Sequence, residues 1–586
     1  MLKIMEYIVL TIIMTVLFAV LAWSKEILGD TEKKTWFGIA TGVIFVFLFL
    51  INYNAMPVLQ FWGFEGVWFE GAFVAILGLL AFFAFDEGES EGKWWKVKSI
   101  PTAIVLIAFV LGCVNSCEPF HAKEYNKRLT VVDANESTFG KTIAVVEVDK
   151  MITLDEAAAQ KVAEDVLGNN TGLGSRVEVG NVTLQCITGS FTIDNGEKLT
   201  FNNDLIYVAP LEHSSFFKWM SNDVTPGYVI VSASDQNWRR LVTEVNGKKL
   251  ALRYLESGYF GDDIERHIKF NGYMTKGLND HCFEIDPQGN PYWVLSSYDQ
   301  KIGFCGEESE GPITVNAQTG EIKAYTIKNA PAWIDRIQPK SFIEEQIRQW
   351  GEYKLGWWNS LSISKQEGVL APTEGMTLVY SNGKSYWYTG IKSASADKGT
   401  NGFMLVDTKT KEAKFYKSSG FNEEEARNIA NGQAEAAAAG YKATYPVLYN
   451  MRGVPTYFMT YKDASGNIQG YCFVASNNRT AVGCDKLKTE AAKKYNEMLK
   501  ALQNNDLKDS EVKSEVITGT IRDITVESGE YYVLLSEKPG FEFTGKSKNF
   551  PELKWSHKGD KVKVSFKIGE EKVVPLDSFD IVDFEI

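Results

Sequence analysis

The sequence has few histidines and lacks the compact motifs that bind metals or catalyse reactions. Its five histidines are scattered over 586 residues, which excludes a His-Glu-x-x-His zinc site. It also has no Gly-x-Ser-x-Gly segment, phosphate-binding loop or dinucleotide fingerprint. These absences exclude several large enzyme families, and no cofactor is predicted. A non-catalytic protein is favoured over an enzyme, although distant residues that meet in space could still form a catalytic site.

Two short segments carry chemistry-bearing residues without the partners that a site needs. His281 and Cys282 are adjacent, but no further ligand or base follows at a useful spacing, so a metal or nucleophile role is disfavoured. Glu284 and Asp286 stand near a predicted hairpin turn, and solvated carboxylates are expected there. Neither segment predicts a reaction.

Acidic residues outnumber basic ones, 74 to 61. The formal net charge is −13, so the field of the protein disfavours binding to a nucleic acid. The 586 residues exceed what one hydrophobic core supports, so several domains are expected. Composition changes sharply after residue 117, because the preceding part is mostly apolar and the following part resembles a soluble protein.

The apolar part predicts about four membrane-spanning helices within residues 1–117. Two of the runs are short for a span of roughly 20 residues, so three helices are the alternative. A cleaved signal peptide is disfavoured, because no small-residue cleavage site follows the first run. Glu65 and Glu70 flank the third run and are expected at the membrane interface. The runs are 7–23, 37–51, 71–85 and 101–113.

Lysines give the predicted topology, because positive residues prefer the cytoplasmic side. The first and third loops share a side and hold six lysines, which places both termini and the large C-terminal region outside the cytoplasm. Lys3 and the basic residues after the fourth run oppose this assignment by a small margin. The loop residues are Lys25, Lys33, Lys34, Lys93, Lys96 and Lys98.

Between residues 195 and 484 the chain repeats one plan four times. Each copy has a tight-turn glycine, a tyrosine-led strand, and a second strand that opens on another glycine. A helical segment precedes each copy, so each unit is predicted to be a helix with a small antiparallel sheet. Two strands, 129–133 and 142–148, are predicted before the first copy. The glycines that open the second strands are Gly227, Gly311, Gly402 and Gly470.

One copy resembles PepSY-type domains. The similarity lies in Pro-Tyr-Trp-Val at 291–294 followed by Val-Asn-Ala-Gln-Thr-Gly-Glu-Ile at 315–322. The third copy is similar at 406–413, with Lys411 in place of the turn glycine, whereas the first and fourth copies depart further. The resemblance implies inhibitory or binding modules that lie outside the cytoplasm or in membrane proteins. It carries no catalytic residues.

Paired cysteines are consistent with an extracytoplasmic location. Cys472 and Cys484 flank one predicted hairpin, and Cys282 and Cys305 flank two strands of the second copy. Such placement suits disulfides, which persist outside the reducing cytosol. The alternative, given equal weight, is that all four are small buried thiols.

A concentration of tryptophans separates the second and third copies. It could form a ligand-binding platform or a belt at the membrane interface. A linker packed into the core between neighbouring units is the favoured interpretation. The residues are Trp333, Trp350, Trp357 and Trp358.

The C-terminal region changes character after a polar linker at 506–513. Five short strands within residues 511–586 resemble an OB-type small barrel, with an SH3-like barrel as the alternative. The region is locally rich in lysine and contains Trp555, as a nucleic-acid face would. A solvated lysine face is favoured.

These patterns predict an α+β multidomain protein of bacterial or phage type. It is expected to be a non-catalytic binding or scaffold protein, with membrane lipid and a protein or cell-envelope polymer as partners. A membrane-tethered envelope hydrolase and a cytoplasmic-facing nucleic-acid-binding protein are the alternatives, and homo-oligomerisation is left open. The predicted domains are 1–117 (membrane helices), 118–258, 259–338, 339–420 and 421–505 (four repeats) and 511–586 (barrel).

Overall fold

A computed structural model of the chain divides it into two units, Met1–Asn496 and Glu497–Ile586. The divide falls inside the helix that closes the fourth sheet, and each unit is described by itself. The predicted linker lies outside the described residues from 507 onward, as do Lys25 and Lys93. The structure describes residues 5–24, 26–60, 65–85, 94–135, 138–168, 172–363, 365–393, 399–506, 514–527, 529–567 and 573–582.

The first unit begins with a bundle of apolar helices. Within the described residues, three helices are long and apolar enough to cross a membrane, and the first helix of the bundle is apolar but shorter. Their outward faces carry exposed Val, Ile, Leu and Phe side chains, which suits contact with lipid. The helices are α1 (Met5–Ala22), the short α2 (Glu26–Gly29), α3 (Thr31–Ala55), α4 (Glu65–Phe85) and α5 (Trp94–Ser116).

Three polar side chains meet inside this bundle. Asn52 on α3 donates from Nδ2 to Thr11 Oγ1 on α1 at 3.2 Å and to Glu70 Oε1 on α4 at 3.0 Å. All three residues are buried, so Glu70 lies between helices. The side chain of Glu65 lies outside the described residues. Interhelical hydrogen bonds of this kind hold apolar helices in register.

The long helices alternate in direction, and one end of the bundle contacts the soluble part of the unit. Tyr7 at the start of α1 packs on Phe270 with ring centroids 6.0 Å apart. The backbone amide of Leu59, after α3, donates to Met274 O at 2.8 Å. Phe304 stacks on Phe109 of α5 at 6.1 Å. The start of α1 and the end of α5 therefore lie at the same end of the bundle as the soluble part.

Four sheets follow, and each contains an antiparallel meander preceded by helical turns. The first sheet contains β2 (Val177–Val179), β3 (Thr183–Thr192), β4 (Lys198–His213), β5 (Tyr228–Ser232) and β6 (Arg239–Val242). The second sheet contains β9 (Gly277–Ile285), β10 (Pro291–Ile302), β11 (Cys305–Asn316) and β12 (Ile322–Ala324). The third contains β13 (Leu370–Pro372), β14 (Thr377–Ser381), β15 (Lys384–Ser393), β16 (Gly399–Asp407) and β17 (Ala413–Phe421), and the fourth contains β18 (Lys442–Ala443), β19 (Val447–Met451), β20 (Val454–Lys462), β21 (Ile468–Ala475) and β22 (Val482–Asp485).

Helices connect and cover these sheets. A two-stranded ribbon, β7 (Glu244–Val245) and β8 (Lys248–Lys249), follows the first sheet. The helices are α6 (Glu118–Asn126), α7 (Phe139–Thr142), α8 (Glu156–Gly168), α9 (Phe216–Ser221), α10 (Ile264–Ile268), α11 (Lys340–Glu352), α12 (Trp357–Ser360), α13 (Glu423–Asn431), α14 (Ala434–Ala439) and α15 (Lys488–Asp506).

In each of the four sheets, a glycine allows the backbone of a neighbouring segment to approach closely, and we call this the glycine device. Gly227, Gly311 and Gly402 have φ values of 155°, 153° and 153°. A Cβ at each would overlap the carbonyl oxygen of the next strand, namely that of Val242, Tyr325 or Tyr416. In the fourth sheet a Cβ at Gly470 would lie 2.9 Å from Asp485 O. Only glycine permits this close approach without strain.

Two predictions about the entry to the first sheet need correction. The predicted strand 142–148 does not form: α7 ends at Thr142, and Val145 makes only an isolated bridge to Asn450. The strand β1 (Val131–Asn135) forms, but it pairs in parallel with β17 of the third sheet. The strand β1, which precedes the first predicted repeat in the chain, therefore belongs to the third sheet, because β17 has an open edge with which it can pair.

The second unit contains a closed five-stranded barrel. Its strand order is β23-β24-β25-β27-β26, and Phe543 and Phe566 pack in its core with ring centroids 4.9 Å apart. Closure pairs the edges that short strands would otherwise expose. The strands are β23 (Ser514–Glu527), β24 (Glu530–Leu535), β25 (Glu542–Lys546), β26 (Lys561–Lys567) and β27 (Val573–Ile581).

The two predicted cysteine pairs behave differently. Cys472 on β21 lies directly opposite Cys484 on β22, and the two are joined as a disulfide. Cys282 lies opposite Val294, whereas Cys305 lies opposite Ile302 at the far end of the β10–β11 hairpin. No disulfide joins Cys282 to Cys305, because the register places them at opposite ends of β10.

Replacing both Cys472 and Cys484 with serine is expected to lower the free energy of unfolding by about 2–3 kcal/mol, since the bridge closes a short loop of the unfolded chain. Denaturant unfolding of the oxidised wild type and the double variant measures this. Cys117→Ser, at an exposed cysteine, is the control and should change little. Equal stability of wild type and double variant would contradict the prediction.

Candidate ligand-binding cleft

One edge strand from each of the four sheets lines a single cleft of about 690 Å³. It is lined by Thr183–Leu184 of β3, Asp280–Cys282 of β9, Thr377–Leu378 of β14 and Val447 of β19. Each of these is an edge strand of its sheet. Edge strands carry backbone groups that another strand has not paired. The volume is in the range, roughly 300–1,000 Å³, of small-ligand pockets.

Arg336 brings a cation to the cleft wall from the segment between the second and third sheets. Its Nη2 donates to Cys282 Sγ at 3.0 Å, whereas its buried Nε has no hydrogen-bond partner. Across the cleft, the buried Oγ1 of Thr377 also has no partner. Two buried polar atoms therefore lack partners in the same cleft, and unsatisfied groups of this kind are rare in native proteins.

Two carboxylates lie beneath Arg336. Glu284 is fully buried, and its carboxylate oxygens make no hydrogen bond of ordinary geometry. The backbone amide of Asp335 and the charge of Arg336 both favour its ionised form. Burial raises the pKa of Glu284, and the nearby charge of Asp335 raises it further. Burial also raises the pKa of Asp335, while the Cys186 backbone amide and Lys409 oppose that shift. Arg336 compensates this acidic pair.

Hydrogen bonds from the third sheet hold the Asp335–Arg336 segment in place. The hydroxyls of Ser385 and Thr408 donate to Asp335 O at 2.9 and 2.8 Å. The backbone amide of Ile337 donates to Thr408 O at 2.9 Å. From the first sheet, the backbone amide of Cys186 donates to the Asp335 carboxylate. The guanidinium of Arg336 is thus set by contacts with three sheets.

The rest of the wall mixes aromatic and ionic side chains. Trp387 lines the cleft, and its indole donates to Gln338 O at 2.9 Å. Asp155 accepts from Lys462 Nζ at 2.6 Å, which ties the first helix-and-sheet unit to the fourth. His281 Nδ1 lies 3.0 Å from Glu256 Oε1. Burial lowers the pKa of His281, but this hydrogen bond and the nearby carboxylate charges together outweigh burial and raise the pKa. Lys340 and Glu156 add one charge of each sign to the lining of the cleft.

The structure separates the four tryptophans that were predicted to bind a ligand or fill the core. Trp333 packs on Tyr292 at 5.2 Å, and Trp350 packs on Phe415 at 5.7 Å. Trp357 packs against α6 in a third cluster, whereas Trp358 is 76% exposed. Trp357 and Trp358 pack on each other with ring centroids 5.0 Å apart, but Trp333 and Trp350 lie in two other clusters, so the four side chains form no common platform.

The predicted carboxylates near the hairpin turn are not solvated. Glu284 is buried beneath the cleft, and Asp286 is buried while accepting hydrogen bonds from the amides of Gln288 and Asn290. His281 and Cys282 line the cleft, but burial raises the pKa of the Cys282 thiol well above its usual value. Among the described residues, no three His, Cys, Asp or Glu side chains are grouped to hold a metal ion.

Sequence reasoning missed Arg336 and Thr377. Arg336 lies in the proline-bounded segment 331–339, in which Trp333 is the more conspicuous residue. Thr377 is an ordinary strand residue, and no sequence signal distinguishes it. No protein family, curated protein or solved structure matches this chain at a significant level. The resemblance to PepSY-type domains therefore depends on the residue pattern alone.

Proposed function

We propose that this protein is a membrane-anchored binding protein, and that its central cleft takes an extended segment of a protein or cell-envelope partner bearing a carboxylate. The observation that carries the proposal is the convergence of four edge strands on one cleft with Arg336 in its wall. An extended peptide can pair with exposed strand edges. A guanidinium recognises a carboxylate with charge-assisted hydrogen bonds.

The proposal also includes a location outside the cytoplasm and a resemblance of the domains to PepSY-type and OB-type folds. Location outside the cytoplasm is supported by the Cys472–Cys484 disulfide, since such bonds persist in oxidising compartments. A PepSY-like character of the four units is supported by the shared helix-then-meander plan and the recurring glycine device. An OB-like character of the second unit is supported by its closed barrel of five strands.

The test uses N-acetylated hydrophobic tripeptides as free acids and as C-terminal amides. The full chain in nanodiscs is titrated, and binding is followed through tryptophan fluorescence, to which Trp387 in the cleft contributes, and through the unfolding midpoint. The free acids are expected to bind more tightly than the amides, because only they offer a charged acceptor to Arg336. Binding of neither form at millimolar concentration, or equal binding of both, contradicts the proposal.

The matched variants are Thr377→Val and Thr410→Val. Thr377→Val is expected to weaken acid binding about threefold to tenfold through loss of one hydrogen bond, while leaving stability nearly unchanged. The reason is that this hydroxyl makes no hydrogen bond within the protein. Thr410 is in the β16–β17 turn, outside the cleft residues, so its variant should bind as the wild type does.

A further inference from the structure

Exposed apolar side chains of the soluble part of the first unit concentrate in two patches. Among described residues from 118 to 496, eleven large apolar side chains are strongly exposed, and only Val132, Val145 and Leu487 fall outside these patches. The α9 patch consists of Phe217, Met220, Tyr259 and Phe260. The α12 patch consists of Phe120, Leu355, Trp358 and Ile363. Clustered exposure of this kind marks an interaction surface.

The α9 patch is tied to the end of a spanning helix. Arg266 donates from Nη1 to Phe260 O at 3.1 Å, and its guanidinium lies 4.6 Å from the centre of the Tyr53 ring. Tyr53 is in the last turn of α3. The rings of Phe216 and Trp219 join the two halves of the patch, since both pack on Tyr259 and Phe260. One arginine side chain therefore separates this patch from the end of the bundle.

The α12 patch is tied to the end of another spanning helix. Phe120 follows the end of α5 by four residues, in the first turn of α6. Tyr353, two residues before Leu355, donates to Glu118 Oε2 at 2.6 Å. Trp357 packs in the cluster of Ala122 and Tyr125 on α6, which places its neighbour Trp358 beside the same helix.

We propose that both patches seat the soluble part on the bilayer that the helices span, with their side chains in the headgroup and upper acyl region. This rests on the membrane anchoring in the proposed function. Both patches lie at the bundle end where the helices leave the apolar core. Aromatic side chains favour this boundary, and an apolar face of α9 would lie in its plane. Exposed Lys218 and Lys354 stand beside the patches and can reach anionic headgroups.

Hydroxyl-radical labelling of the full chain in phosphatidylcholine–phosphatidylglycerol nanodiscs tests the seating. Met220 is 62% exposed within the protein and Met498 41%, while Trp358 is 76% exposed and Trp555 63%. Without lipid contact, Met220 and Trp358 should label faster than their controls. Seating predicts that each labels at least about fivefold more slowly than its control, since the acyl boundary excludes water. Equal or faster labelling of either overturns the proposal.

A second measurement separates lipid from protein as the occupant. Brominated acyl chains quench tryptophans that contact them. Trp358→Phe is expected to lower the quenched fraction of the fluorescence. If Met220 and Trp358 are protected but Trp358→Phe does not lower the quenched fraction, a second copy or another protein covers the patches and the proposal is wrong.

Alkaline carbonate extraction separates this proposal from membrane anchoring itself. Release of the protein by carbonate contradicts the anchoring and the seating together. Retention with fast labelling of Met220 and Trp358 leaves the anchoring intact and overturns the seating alone.

Discussion

At about pH 9, where Glu284 and Asp335 are both ionised, replacement of Arg336 by methionine is expected to lower the free energy of unfolding by about 3–5 kcal/mol, because it leaves these buried carboxylates without their compensating charge. Glu284 is fully buried, and Asp335 is buried beside it. Chemical denaturation of the full chain, followed by tryptophan fluorescence, measures the loss.

The double variant Arg336→Met with Glu284→Gln is the control for this prediction. It removes one of the carboxylates as well as the arginine, so it should recover much of the lost stability. A coupling of this kind is expected only for groups that interact directly. A double variant as unstable as Arg336→Met alone would mean that the methionine disturbs packing rather than charge balance.

Glu284 also predicts how stability depends on pH. Its folded-state pKa is raised above the usual value of 4.5, mainly by burial. A carboxyl group whose pKa is raised in the folded state stabilises that state fully at pH values below its unfolded-state pKa. This stabilisation is lost as the pH rises through the folded-state pKa. Between about pH 5 and about pH 9, wild-type stability should therefore fall, and Glu284→Gln should reduce the fall. An unchanged pH profile in the variant would remove Glu284 as the cause.

Replacement of Gly402 by alanine is expected to cost about 2–4 kcal/mol of unfolding free energy. Gly402 has a φ of 153°, and an added Cβ would overlap the carbonyl oxygen of Tyr416. The strained φ and the overlap with Tyr416 O both arise in the third sheet. There the backbone of β17 cannot move away without disturbing its pairing with β1. The same denaturation experiment measures the cost.

Gly399→Ala is the matched control for Gly402→Ala, on the same strand. The nearest atom to an added Cβ there is Gly420 O at 4.0 Å, so little change is expected. Gly227→Ala and Gly311→Ala should resemble Gly402→Ala, because their conformations and overlaps are alike. Similar costs at Gly399 and Gly402 would show that the device does not constrain the sheet.

Local chemistry explains what could be read from the residues alone. Apolar length predicted the membrane helices, and three of them reach spanning length in the described chain. The alternation of turn glycines and tyrosine-led strands predicted the positions of the hairpins. The apolar pattern of residues 142–148 misled, because a short β-branched run forms a strand only where a partner edge is free to pair with it.

The sequence by itself determined the order of the secondary-structure elements: apolar helices first, four units of a helix and a meander next, and a closed barrel last. Periodicity and turn chemistry act over a few residues, so they are legible without a fold. Tertiary structure decided everything that joins distant residues. It placed β1 in the third sheet, buried Glu284 under Arg336, and turned four edge strands toward one cleft. Packing between residues far apart in the chain determines these contacts, and no local pattern encodes them.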